Sequence, residues 1–89
     1  QITSFDLSWI SINSLVLELG LKFDLYIKYL NQLALIYMVK GKYNYSIPFL
    51  DLAFSLDEKN DLTLLNIIKV LELVGEYDLA IEYRKKLNK

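Results

Sequence analysis

Slid along itself until Leu30 falls on Leu64, the chain repeats: Leu33 falls on Ile67, Tyr37 on Leu71, Gly41 on Gly75, Tyr43 on Tyr77, Ser46 on Ala80 and Ile47 on Ile81. A fixed period between about 20 and 50 residues constrains architecture more than local propensity does. Each unit is then one supersecondary piece that buries its apolar face against the next copy. The best-matched stretch reads Gly-Lys-Tyr-Asn-Tyr-Ser-Ile at 41–47 and Gly-Glu-Tyr-Asp-Leu-Ala-Ile at 75–81.

Inside each unit the apolar residues recur in steps of three and four, as in Leu30, Leu33, Ala34 and Tyr37 and again in Leu64, Ile67, Ile68 and Leu71. That is helix periodicity. Each helix meets a glycine suited to the left-handed C-terminal cap, and a second amphipathic helix begins near Asn44 and near Asp78. Pro48 is tolerated best in a first turn, so the earlier of these second helices is expected to start close to Tyr45. The polar run Asp57–Asp61 separates the two helical hairpins.

The first third of the chain repeats less clearly. Ser4 or Asp6 can cap a helix over 5–20, with Gly20 as its terminator. Phe5, Trp9, Ile12, Val16 and Leu19 form one stripe at helical spacing, and Leu7, Ile10, Leu17 and Leu21 form a second on another face. A helix apolar on two faces is either central in a core or covered by another chain. The second stripe is therefore a candidate interface. The expected architecture is all-α, about five helices in stacked antiparallel hairpins. Residues 1–89 form a single domain, divided into a degenerate helix at 5–20, one repeat at 27–60 and another at 61–89.

A helical hairpin with a period of about 34 residues that carries Gly-x-Tyr-x-x-Ala-Ile resembles the tetratricopeptide repeat, and the likeness covers about residues 27–89. The first unit has the small residue Ala34, the large Tyr37, the turn Gly41 and Tyr43, and the close-packing Ser46 and Ala53. The second keeps Gly75, Tyr77 and Ala80 but has Ile68 and Leu87 at positions the family fills with small residues, and Glu58 stands where it often has proline. Small residues allow two helices to approach to about 8–9 Å, and aromatics fill the space between hairpins. The resemblance implies a superhelical stack, with residues 5–20 as the second helix of a preceding unit.

Composition narrows the chemistry. The chain has no cysteine and no histidine, which excludes disulfides, thiolate zinc sites, thiol nucleophiles and any triad with an imidazole base. Ten Lys plus Arg against eleven Asp plus Glu give a net charge of −1, without the basic excess that draws proteins to nucleic acid. Asp57, Glu58 and Asp61 lack the ligand alternation around a glycine that a calcium loop needs. Arg84, Lys85, Lys86 and Lys89 complement a helix C-terminus. No pocket-like constellation accompanies the remaining carboxylates and lysines, so neither an enzyme nor a cofactor is expected. The longest uninterrupted apolar run, Leu33–Val39, is far short of the roughly 20 residues of a membrane span. No signal peptide opens the chain, so a cytoplasmic protein is expected. Opening on Gln1, the chain is also expected to lack its native start. Yet 54% of its residues are apolar, and a domain this small buries only about 60–65% of its unfolded surface. The surplus points to binding through apolar surface.

In the family that the repeats resemble, the first helices line a concave groove. The resemblance places Lys28, Asn31, Gln32, Leu35, Met38 and Val39 there, then Leu62, Leu65, Asn66, Lys69, Glu72 and Leu73. Leu35 stands where family members that grip a C-terminal carboxylate have a clamp asparagine, so that activity is not expected. A floor of Leu, Met and Val suits the apolar side of an amphipathic helix. The chain is also similar to the small tetratricopeptide-like chaperones of bacterial type III secretion, which keep the needle subunit unpolymerised. That likeness implies an amphipathic helical partner in the groove and a small helical co-chaperone on Leu7, Ile10, Leu17 and Leu21. The alternative is a structural adaptor, one segment of a longer repeat scaffold.

Overall fold

A computed structural model of the chain describes the backbone of residues 2–87 and the side chains of residues 14, 15 and 17–87. Among these residues there are four helices and no strand: α1 (Ile2–Val39), α2 (Tyr43–Leu56), α3 (Asp61–Leu73) and α4 (Tyr77–Leu87). The all-α class expected from the repeat period is what the chain adopts.

The glycine stops after α1 and α3 lie one repeat apart and are built alike. Gly41 has φ +74° and Gly75 φ +86°. The Gly41 amide donates to Met38 O and the Lys42 amide to Tyr37 O, while the Gly75 amide donates to Glu72 O and the Glu76 amide to Leu71 O. This crossed pair of bonds is the Schellman cap, which requires a left-handed residue that glycine adopts without steric cost. Each cap reverses the chain, so α1 pairs with α2 and α3 with α4. α3 also packs on α2 and on α1.

The other expected stop is absent. α1 runs unbroken through Gly20, which lacks the positive φ of the other two glycines. The expected helix at 5–20 and the first helix of the 27–60 repeat are one element, and the five expected helices are four. An interior glycine costs a helix only about 1 kcal/mol, and residues 21–26, Leu-Lys-Phe-Asp-Leu-Tyr, contain no proline or second glycine to enforce a turn. At about 1.5 Å per residue α1 is some 57 Å long and spans most of the molecule's 63 Å. Its first half therefore projects beyond the hairpins. The radius of gyration is 17.9 Å, against about 12 Å for a compact chain of this length.

Where the hairpins meet, Ala34, Met38, Leu50, Ile67, Ile68, Val70, Leu71 and Ala80 form the core, and Ile27, Leu30 and Ala53 continue it along α1 and α2. Ala34 and Ala53 have no exposed surface, and their lack of bulk lets the helices close. Tyr37 stacks on Phe49 at 5.7 Å, and Phe54 meets Tyr83 edge-on at 5.5 Å. α2 begins at Tyr43, two residues earlier than Pro48 suggested. The ring thus sits in the second turn and removes the bond that Asn44 O would accept. The step between hairpins is held by Asn60, whose side chain accepts the Thr63 amide at 2.9 Å and caps α3.

Candidate protein-binding surface

Helix phase sorts the residues assigned to the groove into two sets. On α1 the stripe Ile27, Asn31, Ala34, Met38 is buried. The next stripe round the helix, Lys28, Gln32, Leu35, Val39, is exposed except for the half-buried Leu35. Asn31 and Met38 are therefore inside the protein and cannot meet a partner. On α3 a single stripe, Leu62, Leu65, Lys69, Leu73, faces outward, while Thr63, Asn66, Ile67 and Val70 face inward. Asn66, also expected in the groove, is buried. Glu72 is tied to α4 by a 2.9 Å ion pair with Arg84.

The buried asparagines have a different task. The Asn31 side-chain amide donates to Ile27 O at 3.0 Å and to Thr63 Oγ1 at 2.8 Å, and the Asn66 amide donates to Asn31 Oδ1 at 2.9 Å. The Thr63 hydroxyl in turn donates to Asn60 Oδ1 at 3.2 Å. This chain of bonds crosses from α1 to α3 inside an apolar core. Every buried side-chain nitrogen and oxygen among the described residues has a partner, so the network fixes the register of one hairpin on the next at little desolvation cost. Sequence reasoning missed it, although a polar residue in the phase of an apolar stripe was the available signal.

What remains for a partner is the surface of Lys28, Leu35 and Val39 on α1 with Leu62, Leu65, Lys69 and Leu73 on α3. Val39 is 86% exposed, and Leu62, Leu65 and Leu73 each nearly half. Large exposed apolar side chains with two lysines among them can bury the apolar stripe of another helix while its acidic residues meet Lys28 and Lys69. The chain matches no family model, no curated protein and no solved structure. This surface is thus the ground on which a function stands.

The candidate second interface is partly described. Leu17 and Leu21 are 70% and 67% exposed and line a shallow cleft of about 540 Å³ beside Gly20 with Leu19, Phe23 and Asp24. The side chains of Leu7 and Ile10 lie outside the described residues. A second cleft of about 470 Å³, between Phe54, Glu58, Lys59 and Lys86, mixes charges of both signs. The described residues contain no acidic cluster able to hold a metal ion and no helix long and apolar enough to cross a membrane.

Proposed function

We propose that the chain is a protein-binding module of tetratricopeptide type, a superhelical stack that seats one amphipathic helix of a partner on the outward faces of α1 and α3. The observation that supports this reading is the exposure of Leu62, Leu65 and Leu73, with Lys69 in the same stripe of α3, together with exposed Val39 and Lys28 on α1. In its sharper form the module is a cytoplasmic chaperone. By covering the stripe through which copies of an aggregation-prone helical subunit associate, it holds that subunit unassembled, and a type III secretion needle subunit is the client of this kind. Leu17 and Leu21, with Leu7 and Ile10, then seat a small helical co-chaperone.

The test begins with co-purification from the native cell and mass identification of the chain that travels with this one. Val39→Asp with Leu65→Asp changes only exposed residues, so helicity by circular dichroism should survive. Truncating a central apolar anchor costs about 2 kcal/mol or more, and two such losses should lower affinity for the recovered partner by about a thousandfold. Unchanged affinity would show that binding uses another face. A scaffold segment, by contrast, should gain stability from further repeats and not from a small helical chain of different sequence.

A further inference from the structure

The repeat allows the two hairpins to be compared position by position, and one face does not match. In α3, Thr63, Ile67 and Val70 are 0%, 5% and 2% exposed, and Ile67 and Val70 share a core with Leu50 of the preceding α2. Their counterparts one repeat earlier, Tyr29, Leu33 and Ile36, are 56%, 41% and 50% exposed. The face that α2 covers on α3 is bare on α1, and what fits it is an apolar helix running antiparallel to α1, as α2 runs to α3. The last helix of another stack does not supply one. The counterpart of Leu50 in α4 is Arg84, a charge of the kind that closes a repeat array.

The long α1 of a second copy does. From Ile36, Leu33 and Tyr29 the bare face continues back along α1 through Tyr26, Lys22, Leu19 and Leu15, in alternating steps of three and four. That is the seven-residue rhythm of a coiled-coil seam, and its six apolar members are between 41% and 56% exposed. The seam passes from the part of α1 packed in the hairpins to the part that projects beyond them. Each copy therefore carries both a bare face and an apolar helix that fits it, the condition for a self-complementary two-fold contact. We propose that two chains pair through this seam, α1 against α1, antiparallel about a two-fold axis. The axis falls between residues 27 and 28, the register that pairs all seven positions. Tyr26 then meets Tyr29 of the second copy and Leu19 meets Ile36, while Lys22 lies along Leu33 and Leu15 beside Lys40. Moving the pair one heptad toward the hairpins would set Lys22 against Lys40, two like charges in opposition. In the favoured register Lys22 keeps its 3.5 Å ion pair with Glu18, one turn away, and its stem covers Leu33 while the charge stays in water. At about 200 Å² for a large side chain, the exposed halves of the six apolar residues come to about 1,200 Å² over both chains, the lower bound for a stable specific interface. Glu18 and Leu25 at the seam's edge add to it. Lys28, Leu35 and the outward stripe of α3 stay uncovered, so this pairing neither needs nor blocks the partner surface.

Sedimentation equilibrium of the full chain reads the pairing. The wild type at micromolar concentration should sediment at twice the 10.4 kDa of one chain and dissociate on dilution. Leu19→Glu and Ile36→Lys each set an unpaired charge against an apolar side chain in two symmetric layers and should weaken association at least about a hundredfold. Both positions are half exposed in the single chain, so helix content by circular dichroism should not change. Mixing the two variants should restore a dimer of one chain of each, because the antiparallel register sets the new acid against the new base. A wild-type chain that stays monomeric up to millimolar concentration would overturn the proposal. So would a dimer that Leu19→Glu leaves intact, which would place the contact on another face. Two monomeric variants that do not combine on mixing would overturn it as well, because residues 19 and 36 would then not face each other.

Discussion

The asparagine network between α1 and α3 yields the sharpest energetic prediction. Asn31 has no exposed surface and makes three hydrogen bonds, two to side chains of α3. Consider Asn31→Ala. Ile27 O keeps its bond within the helix, and the Thr63 hydroxyl still donates to Asn60 Oδ1. The Asn66 amide, only 6% exposed, loses the acceptor that held it. Leaving a buried polar group unpaired costs about 1–3 kcal/mol, and each net bond lost about 1 kcal/mol. The single substitution should therefore cost about 3 kcal/mol. For a domain of this size that is a large part of a total stability of about 4–13 kcal/mol and should lower Tm by about 10–20 °C. Asn66→Ala strands Asn31 Oδ1 in the same way and should cost about 2 kcal/mol. Removing both leaves neither group unpaired, so the double variant should cost less than the sum of the singles by about 1–3 kcal/mol. Urea unfolding followed by circular dichroism measures all four corners of the cycle. Two results would refute the claim that these bonds are made and matter. One is additivity to within about 0.5 kcal/mol, the behaviour of independent sites. The other is a cost below about 1 kcal/mol for Asn31→Ala, less than a single net bond.

Two further substitutions test the local signals that end and begin the helices. Gly75→Ala introduces a Cβ that meets no atom within 4 Å, so its cost is the left-handed backbone alone. That is about 1–2 kcal/mol, read as a fall in Tm of about 5–15 °C; a melt identical to wild type would mean that the Schellman cap does not form. Asn60→Ala removes the acceptor for the Thr63 amide and hydroxyl and should destabilise by about 1–2 kcal/mol, whereas Asn60→Asp should keep most of the cap. Equal stability for the two variants would remove Asn60 from that role.

Period and turn chemistry were legible in the sequence because they are local. Gly41 and Gly75 sit where the apolar rhythm stops, and each forms the left-handed cap that the rhythm demands. Of the positions read from spacing alone, Leu30, Ala34, Leu64, Ile67, Ile68 and Leu71 are buried, whereas Leu33 is 41% exposed and Tyr37 only half-buried. Which side of a helix faces which neighbour was harder to read. α3 touches three other helices, so most of its circumference is inside and exposure no longer follows polarity. Asn31 and Asn66 look like surface residues by type, yet each occupies the phase of a buried stripe. Their burial becomes intelligible only once the hairpins stack and bring the two amides and the Thr63 hydroxyl to one level.

Gly20 shows the same limit from the other side. A glycine permits a left-handed cap but does not impose one. What imposes it is burial gained by the chain that turns back, and that gain is non-local. After Gly41 the returning helix covers Leu30 and Ala34 with Leu50 and Ala53, and after Gly75 it covers Leu71 with Ala80. At Gly20 no returning helix supplies that gain, and α1 runs on. Continuing the helix there costs only the propensity of one glycine.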